Sequence, residues 1–175
     1  MAGKKYPDRL INFNVFLDGY LCLGIADVEL PTLTPLTETL SGAGIMGEIE
    51  SPILGMFESM ETSINWRTIT SYALKLAAPG THNLEFRAAQ QIMDTATGKP
   101  TPEGVRVAMK VMNKETGLGS FEPNSTTDTE QTFEVTYFKL FVEDKEMIEL
   151  DKTNGVCKFE GVDYLAEYRK KVGLA

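Results

Sequence analysis

Apolar side chains recur at every second position through much of this 175-residue chain, in runs broken by turn-forming pairs. Val105, Val107, Met109 and Val111 alternate with Arg106, Ala108 and Lys110. Leu84, Phe86, Ala88 and Ile92 alternate with Glu85, Arg87 and Gln91, and Met60, Thr62, Ile64 and Trp66 with Glu61, Ser63, Asn65 and Arg67. A period of two sends successive side chains to opposite faces of a pleated strand, so such runs require a sheet with one dry face and one wet one. Asp18-Gly19 and Asn154-Gly155 supply hairpin turns, and a further hairpin through 132–151 is expected to turn at Asp144-Lys145. The turn-rich stretch 95–103 joins two of the strands, and 115–131 reads as a polar loop.

Helical spacing appears in two places. Ile69, Ala73 and Leu76 form a stripe halted by Pro79-Gly80, which predicts a short helix near 68–77. Val162, Leu165, Ala166 and Val172 form another, with Arg169 to Lys171 suited to the negative end of a helix dipole and Gly173 to a stop. This predicts a C-terminal helix over 161–173. The fold class expected is mainly β: an antiparallel sandwich or barrel of one domain, with one short helix and one terminal helix. Residues 1–12, polar and interrupted by Pro7, read as an N-terminal arm. Residues 31–52 carry three prolines, threonines and a glycine cluster, and read as a long extended loop. Loops of that length in a small domain are usually functional or docked on something else.

The net charge of −8 is uneven. Residues 1–12 carry +2 and 163–175 carry +1, leaving −11 on the body between them. An acidic body argues against a surface that grips nucleic acid, which needs Lys and Arg against phosphates. No apolar run is long enough for a membrane helix, and no apolar segment follows the basic residues at the N-terminus. Cys22 and Cys157 read as buried thiols in a chain made in the cytosol.

Catalytic signatures are missing. The glycine-rich "LSGAGIMGEIESP", 40–52, has no Gly-Lys-Ser/Thr ending and puts carboxylates where a phosphate wants a cation. The single histidine, His82, has no second histidine or clustered cysteine with which to hold a metal. Trp66 shares its face with Met60 and Ile64 and therefore reads as core, as do Phe133, Tyr137, Phe138 and Phe141, in a core or an interface. From the residues alone, no enzyme, cofactor or metal is expected, and a β-barrel module for a small ligand or carbohydrate stays open as an alternative.

The order of features resembles the major tail tube proteins of contractile-tailed, P2-like phages and of related phage-tail-like bacteriocins. Asn14, Phe16, Asp18 and Gly19 match that family's opening "N-x-F-x-D-G", and Val28, Leu30, Pro31 and Leu33 its "V-x-L-P-x-L". Gly42, Gly44, Met46 and Gly47 fall in its glycine-rich stretch, Met60 to Trp66 in its "E-x-x-W" strand, and Tyr137 to Leu140, Ile148 to Asp151 and Gly161 to Asp163 in its ending. The region 77–130 matches less clearly and is longer.

The resemblance implies a non-enzymatic subunit that assembles with itself into stacked, hexameric rings forming a hollow tube inside a sheath. It implies sheath, tape-measure, baseplate and tail-terminator proteins as partners, DNA only as passing cargo in a phage, and assembly in the host cytoplasm, with no membrane. Contacts between subunits and rings are then expected from Lys4, Lys5, Tyr6 and Arg9, from Leu40, Ser41, Gly42, Gly44, Ile45, Met46, Gly47 and Glu48, and from Arg169 and Lys170. The polar strand faces supply the candidates for the bore: Glu61, Ser63, Asn65, Glu85, Arg87, Gln91, Arg106, Lys110, Glu134 and Thr136. With an acidic body, that bore is expected to repel DNA phosphates.

Overall fold

A computed structural model describes residues 4–22 and 24–174. Strands dominate. In chain order they are β1 (Lys5–Leu17), β2 (Tyr20–Cys22), β3 (Ile25–Glu29), β4 (Pro35–Leu40), β5 (Ile49–Phe57) and β6 (Glu61–Trp66). Helix α1 (Ser71–Ala77) precedes β7 (Thr81–Asp94), β8 (Pro100–Gly117), β9 (Thr129–Val142), β10 (Lys145–Asp151), β11 (Val156–Phe159) and β12 (Val162–Asp163). Helix α2 (Ala166–Lys171) closes the chain. The sheet runs β12-β11-β10-β9-β8-β7-β1-β2, with β6 leaving it along the first half of β9 and β3 pairing on β6. All pairings are antiparallel among the described residues.

The expected alternation sets the core. Val15, Leu84, Phe86, Val107, Met109, Val111, Phe133, Val135, Phe138 and Leu150 are buried from neighbouring strands, and β6 adds Met60, Ile64 and Trp66. Helix α1 plugs the core with Ala73 and Leu76, its start capped by Thr70, whose hydroxyl accepts from the Ala73 amide. Cys22 and Cys157 are buried free thiols. Trp66 is core rather than a stacking platform: its Nε1–H donates to Gln131 Oε1 at 3.0 Å, and Gln131 Nε2 donates to the Ala73 carbonyl at 2.9 Å.

Several boundaries move for identifiable reasons. Residues 5–12 are no free arm: they pair with β7 from Lys5↔Asp94 onward, and Pro7 is accommodated at a register shift on a strand whose other edge is unpaired over this stretch. The stretch 31–52 is no plain loop. It becomes a β4–β5 ribbon, a two-stranded sheet separate from the main one, with Ser41–Gly47 as its tip. The run after Tyr20 splits into β2 and β3, because Gly24 at φ +90° redirects the chain from β1 to β6. The β9–β10 turn lies at Glu143-Asp144, both at positive φ, one residue ahead of the expected pair. The strand β8 begins already at Pro100, so the connection expected over 95–103 shrinks to 95–99. The terminal helix is shorter than 161–173, since Val162 and Asp163 pair with β11 and the Asp163 carboxylate accepts from the Leu165 amide.

Candidate functional site

Opposite the core, the sheet presents a polar face whose composition follows from register. Residues directly opposed across an antiparallel pair share a face. Asn14, Arg87, Arg106, Phe141 and Glu146 form one row across β1, β7, β8, β9 and β10. Phe16, Glu85, Ala108, Lys139, Glu149, Lys158 and Asp163 form the next, and Asn83, Lys110, Tyr137 and Asp151 a third. By the same alternation Gln91 belongs to this face, and Glu61 with Glu134, then Ser63 and Asn65, continue it onto β6. Thr136 is the extra residue of a β9 bulge beside Lys110. The ten bore candidates therefore lie on one continuous face or at its bulge, which stands as the structural correlate of the period-two reading.

Charge on this face is mostly matched across strands. Lys139 bridges Glu146 at 2.8 Å and Glu149 at 3.4 Å, and Lys158 bridges Glu149 at 2.8 Å. Arg87 pairs with Glu85 at 2.6 Å, Lys114 with Glu61, and Lys152 with Glu134 at 3.4 Å. Arg169 closes the ladder on Asp163 and donates to the Gly155 carbonyl at 2.7 Å. Burial pushes the Glu149 carboxyl up, but hydrogen bonds from Lys158 and Tyr137 and the nearby lysine charges outweigh it, so its pKa falls below the ordinary value. The Tyr137 hydroxyl is pushed up by burial and by its bond to Glu149. The acids of this face are interleaved with Lys and Arg, so an acidic body does not by itself make this face acidic.

Aromatic rings support the cations. Arg106 lies 4.1 Å from the Phe141 centroid, Arg87 4.7 Å from Phe16 and Lys110 5.6 Å from Tyr137. Phe16, Lys139, Phe141, Glu149 and Lys158 were not among the sequence candidates for this face. Their alternation was visible, but the pairing of β9 with β10 and β11 that aligns them is not a local property of sequence.

The contact candidates separate into three groups. Tyr6 and Arg9 are exposed on β1, Arg9 against Asp8, and Lys4 and Lys5 are exposed at its start. At the ribbon tip Met46 projects fully into solvent, while Ile45 is half-buried and its amide donates to the Gly42 carbonyl at 3.0 Å. Leu40 and Ile49 oppose each other across the ribbon, and Leu36, Leu54 and Met56 are exposed along it. Of these, Ile49, Leu54 and Met56 went unnoticed because Pro52 and Gly55 interrupt the alternation of 49–57. Gly55 needs its positive φ and has no room for a Cβ, which would lie 2.6 Å from Leu165, so the ribbon base is pinned against the turn before α2. Lys170 is exposed, whereas Arg169 is held in its own chain's clamp. Among the described residues no cluster of His, Cys, Asp or Glu is arranged to hold a metal. An open apolar groove of about 230 Å³ beside Leu10, Phe13, Val28 and Val105 does not include Trp66. Among the described residues no helix is long and apolar enough to cross a membrane.

Residues 7–173 match the family described as phage tail tube protein FII. This chain belongs to the phage tail tube family. It is 34% identical over 173 residues to the tail tube protein of Escherichia phage P2, covering 96% of this chain and 98% of that one. In fold it is similar to the sheath/tube terminator, in its extended state, of an extracellular contractile injection system named PVC (TM-score 0.54, 12% identity, 78% of this chain and 97% of that one). A looser likeness, at TM-score 0.40 and 9% identity, links it to a chain of the anti-feeding prophage baseplate, over 81% of this chain and 97% of that one. The chain is a structural component of a phage tail or tail-like particle, of the inner-tube kind.

Proposed function

We propose that this tail tube protein assembles with itself into stacked rings, six copies to a ring as the resemblance implies, with the polar sheet face turned to the bore. The observation that carries this reading is the sidedness of the long sheet: one face is packed core, and the other is a charge-matched, water-compatible wall spanning five strands. A wall of paired charges neither holds nor strongly repels a moving polyanion, which suits a conduit for DNA in a phage. The β4–β5 ribbon, apolar and exposed, and the unpaired edge of β1 supply the contacts between copies. Sheath, tape-measure, baseplate and terminator proteins would meet the assembled tube, which forms in the host cytoplasm and has no catalytic task.

Negative-stain microscopy of the concentrated, purified protein tests this reading. Rings or tubes of uniform width are expected. A monodisperse monomer at every concentration would sink it. Deleting residues 1–9 should leave the core folded by circular dichroism yet impair tube formation, because it strips the pairing partner from Ile92–Asp94. Unchanged tubes after that deletion would remove the β1 edge from the contact set.

A further inference from the structure

Two cations on the polar face form no ion pair among the described residues. Arg87 and Arg106 are direct cross-strand partners, an unfavourable placement for like charges. Glu85 answers Arg87, but among the described residues neither Arg106 nor Lys110 takes part in an ion pair, and the Arg106 Nε is buried without a hydrogen-bond partner. Glu143, which lines the same open cleft of about 440 Å³ as Arg87 and Arg106, spends a carboxylate oxygen on the Gly104 amide at 2.6 Å. Arg106 is seated over the Phe141 ring and Lys110 near that of Tyr137, which holds both cations in place.

We infer that Arg106 and Lys110 form a weak contact site for the phosphodiester backbone of nucleic acid. Four residues apart on one face of β8, they stand roughly 13 Å from each other along the strand. That separation suits two phosphates on an extended polyanion better than one small anion. The guanidinium sits over Phe141 and lines an open cleft, and its fork of N–H groups matches a phosphate oxygen pair. Of the neighbouring carboxylates, Glu85, Glu146 and Glu149 are taken by other cations, whereas Asp144 in the Arg106 cleft and Asp18 in that of Lys110 pair with none and weaken the site's hold on a phosphate. Contact is therefore brief and salt-sensitive, as cargo that must keep moving requires. The inference rests on the bore reading above, because only there does this face meet a passing strand.

The experiment uses the full chain and a fluorescent 12-base-pair DNA duplex, with anisotropy followed across salt concentration. Binding at low salt is expected, and the R106Q/K110Q pair should weaken it about tenfold and flatten the log K against log salt slope by about 2. R106K should lose less than R106Q, and K99Q, an exposed cation in the turn between β7 and β8, should change neither quantity. Absence of binding by the native chain, or an unchanged slope in the double variant, overturns the site. Equal binding of polyglutamate means a carboxylate of a neighbouring copy is the true partner, which also overturns it. So does loss of assembly by the folded double variant. The bore reading is scored separately with A108C, since Cys22 and Cys157 are buried. A bulky maleimide should label it in the unassembled protein and not in intact tubes; equal labelling in both removes the bore reading whatever the DNA result.

Discussion

Gln131 shows how much one polar side chain can hold in place. It is fully buried, and its amide links Trp66 on β6, the Ala73 carbonyl on α1 and the Thr116 hydroxyl on β8. Gln131→Leu leaves the buried Trp66 N–H without a partner and removes the bonds to α1 and β8, and should destabilise the chain by roughly 1–3 kcal/mol. Chemical denaturation followed by Trp66 fluorescence measures this directly. Gly119 carries a similar constraint in backbone terms: a Cβ there would lie 1.8 Å from the Thr127 carbonyl oxygen, at φ +77°. Gly119→Ala should therefore cost more than the ~1 kcal/mol of an ordinary left-handed glycine replacement. Trp66 was legible as core from its neighbours in sequence. Its partner was not, because Gln131 lies in a distant strand and reads locally as an ordinary exposed glutamine.

Among the elements, the ladder on the polar face ties β9, β10, β11 and α2 together. Burial raises the Asp151 pKa, but bonds from Asn154 and Thr153 more than reverse this, while Arg169 leads the lowering at Asp163. With Glu149, all three carboxyls sit below their unfolded values. Their contribution is present above the unfolded carboxylate range, near pH 4, and disappears as pH falls through the lower folded values. Thermal stability should thus decline steadily below about pH 4, with Asp151→Asn flattening that decline; an identical acid profile for the variant would contradict the assignment. The strands β7 and β8 were readable from period-two patterning because each buries one full face. The ribbon and the first half of β1 were not, since Pro52, Gly55 and Pro7 break the pattern, and backbone pairing alone holds those residues in line.

For the whole molecule, the choice between apolar and ionic assembly can be decided. The basic residues of the two termini are partly spent: Arg169 is clamped to Asp163, and Arg9 faces Asp8. Beside the exposed Lys4, Lys5 and Lys170, the ribbon exposes an apolar row at Leu36, Leu40, Ile49, Leu54 and Met56. Assembly should therefore survive about 1 M salt, where the screening length shrinks to roughly 3 Å. Light scattering that collapses between low and high salt would instead favour an ionic interface. Removing the ribbon tip, 41–47, is expected to preserve the melting transition while lowering the extent of polymerisation.

The ribbon has a kinetic consequence. Two strands with no third are marginal by themselves, and this ribbon is held to its own chain at its base, by Phe57 against the core and by Gly55 against Leu165. A free copy must settle its ribbon anew, whereas the end of an existing tube offers a surface already shaped to receive it. Starting a tube is then slow and lengthening one fast, so a growth curve should show a lag that a trace of preformed seeds abolishes.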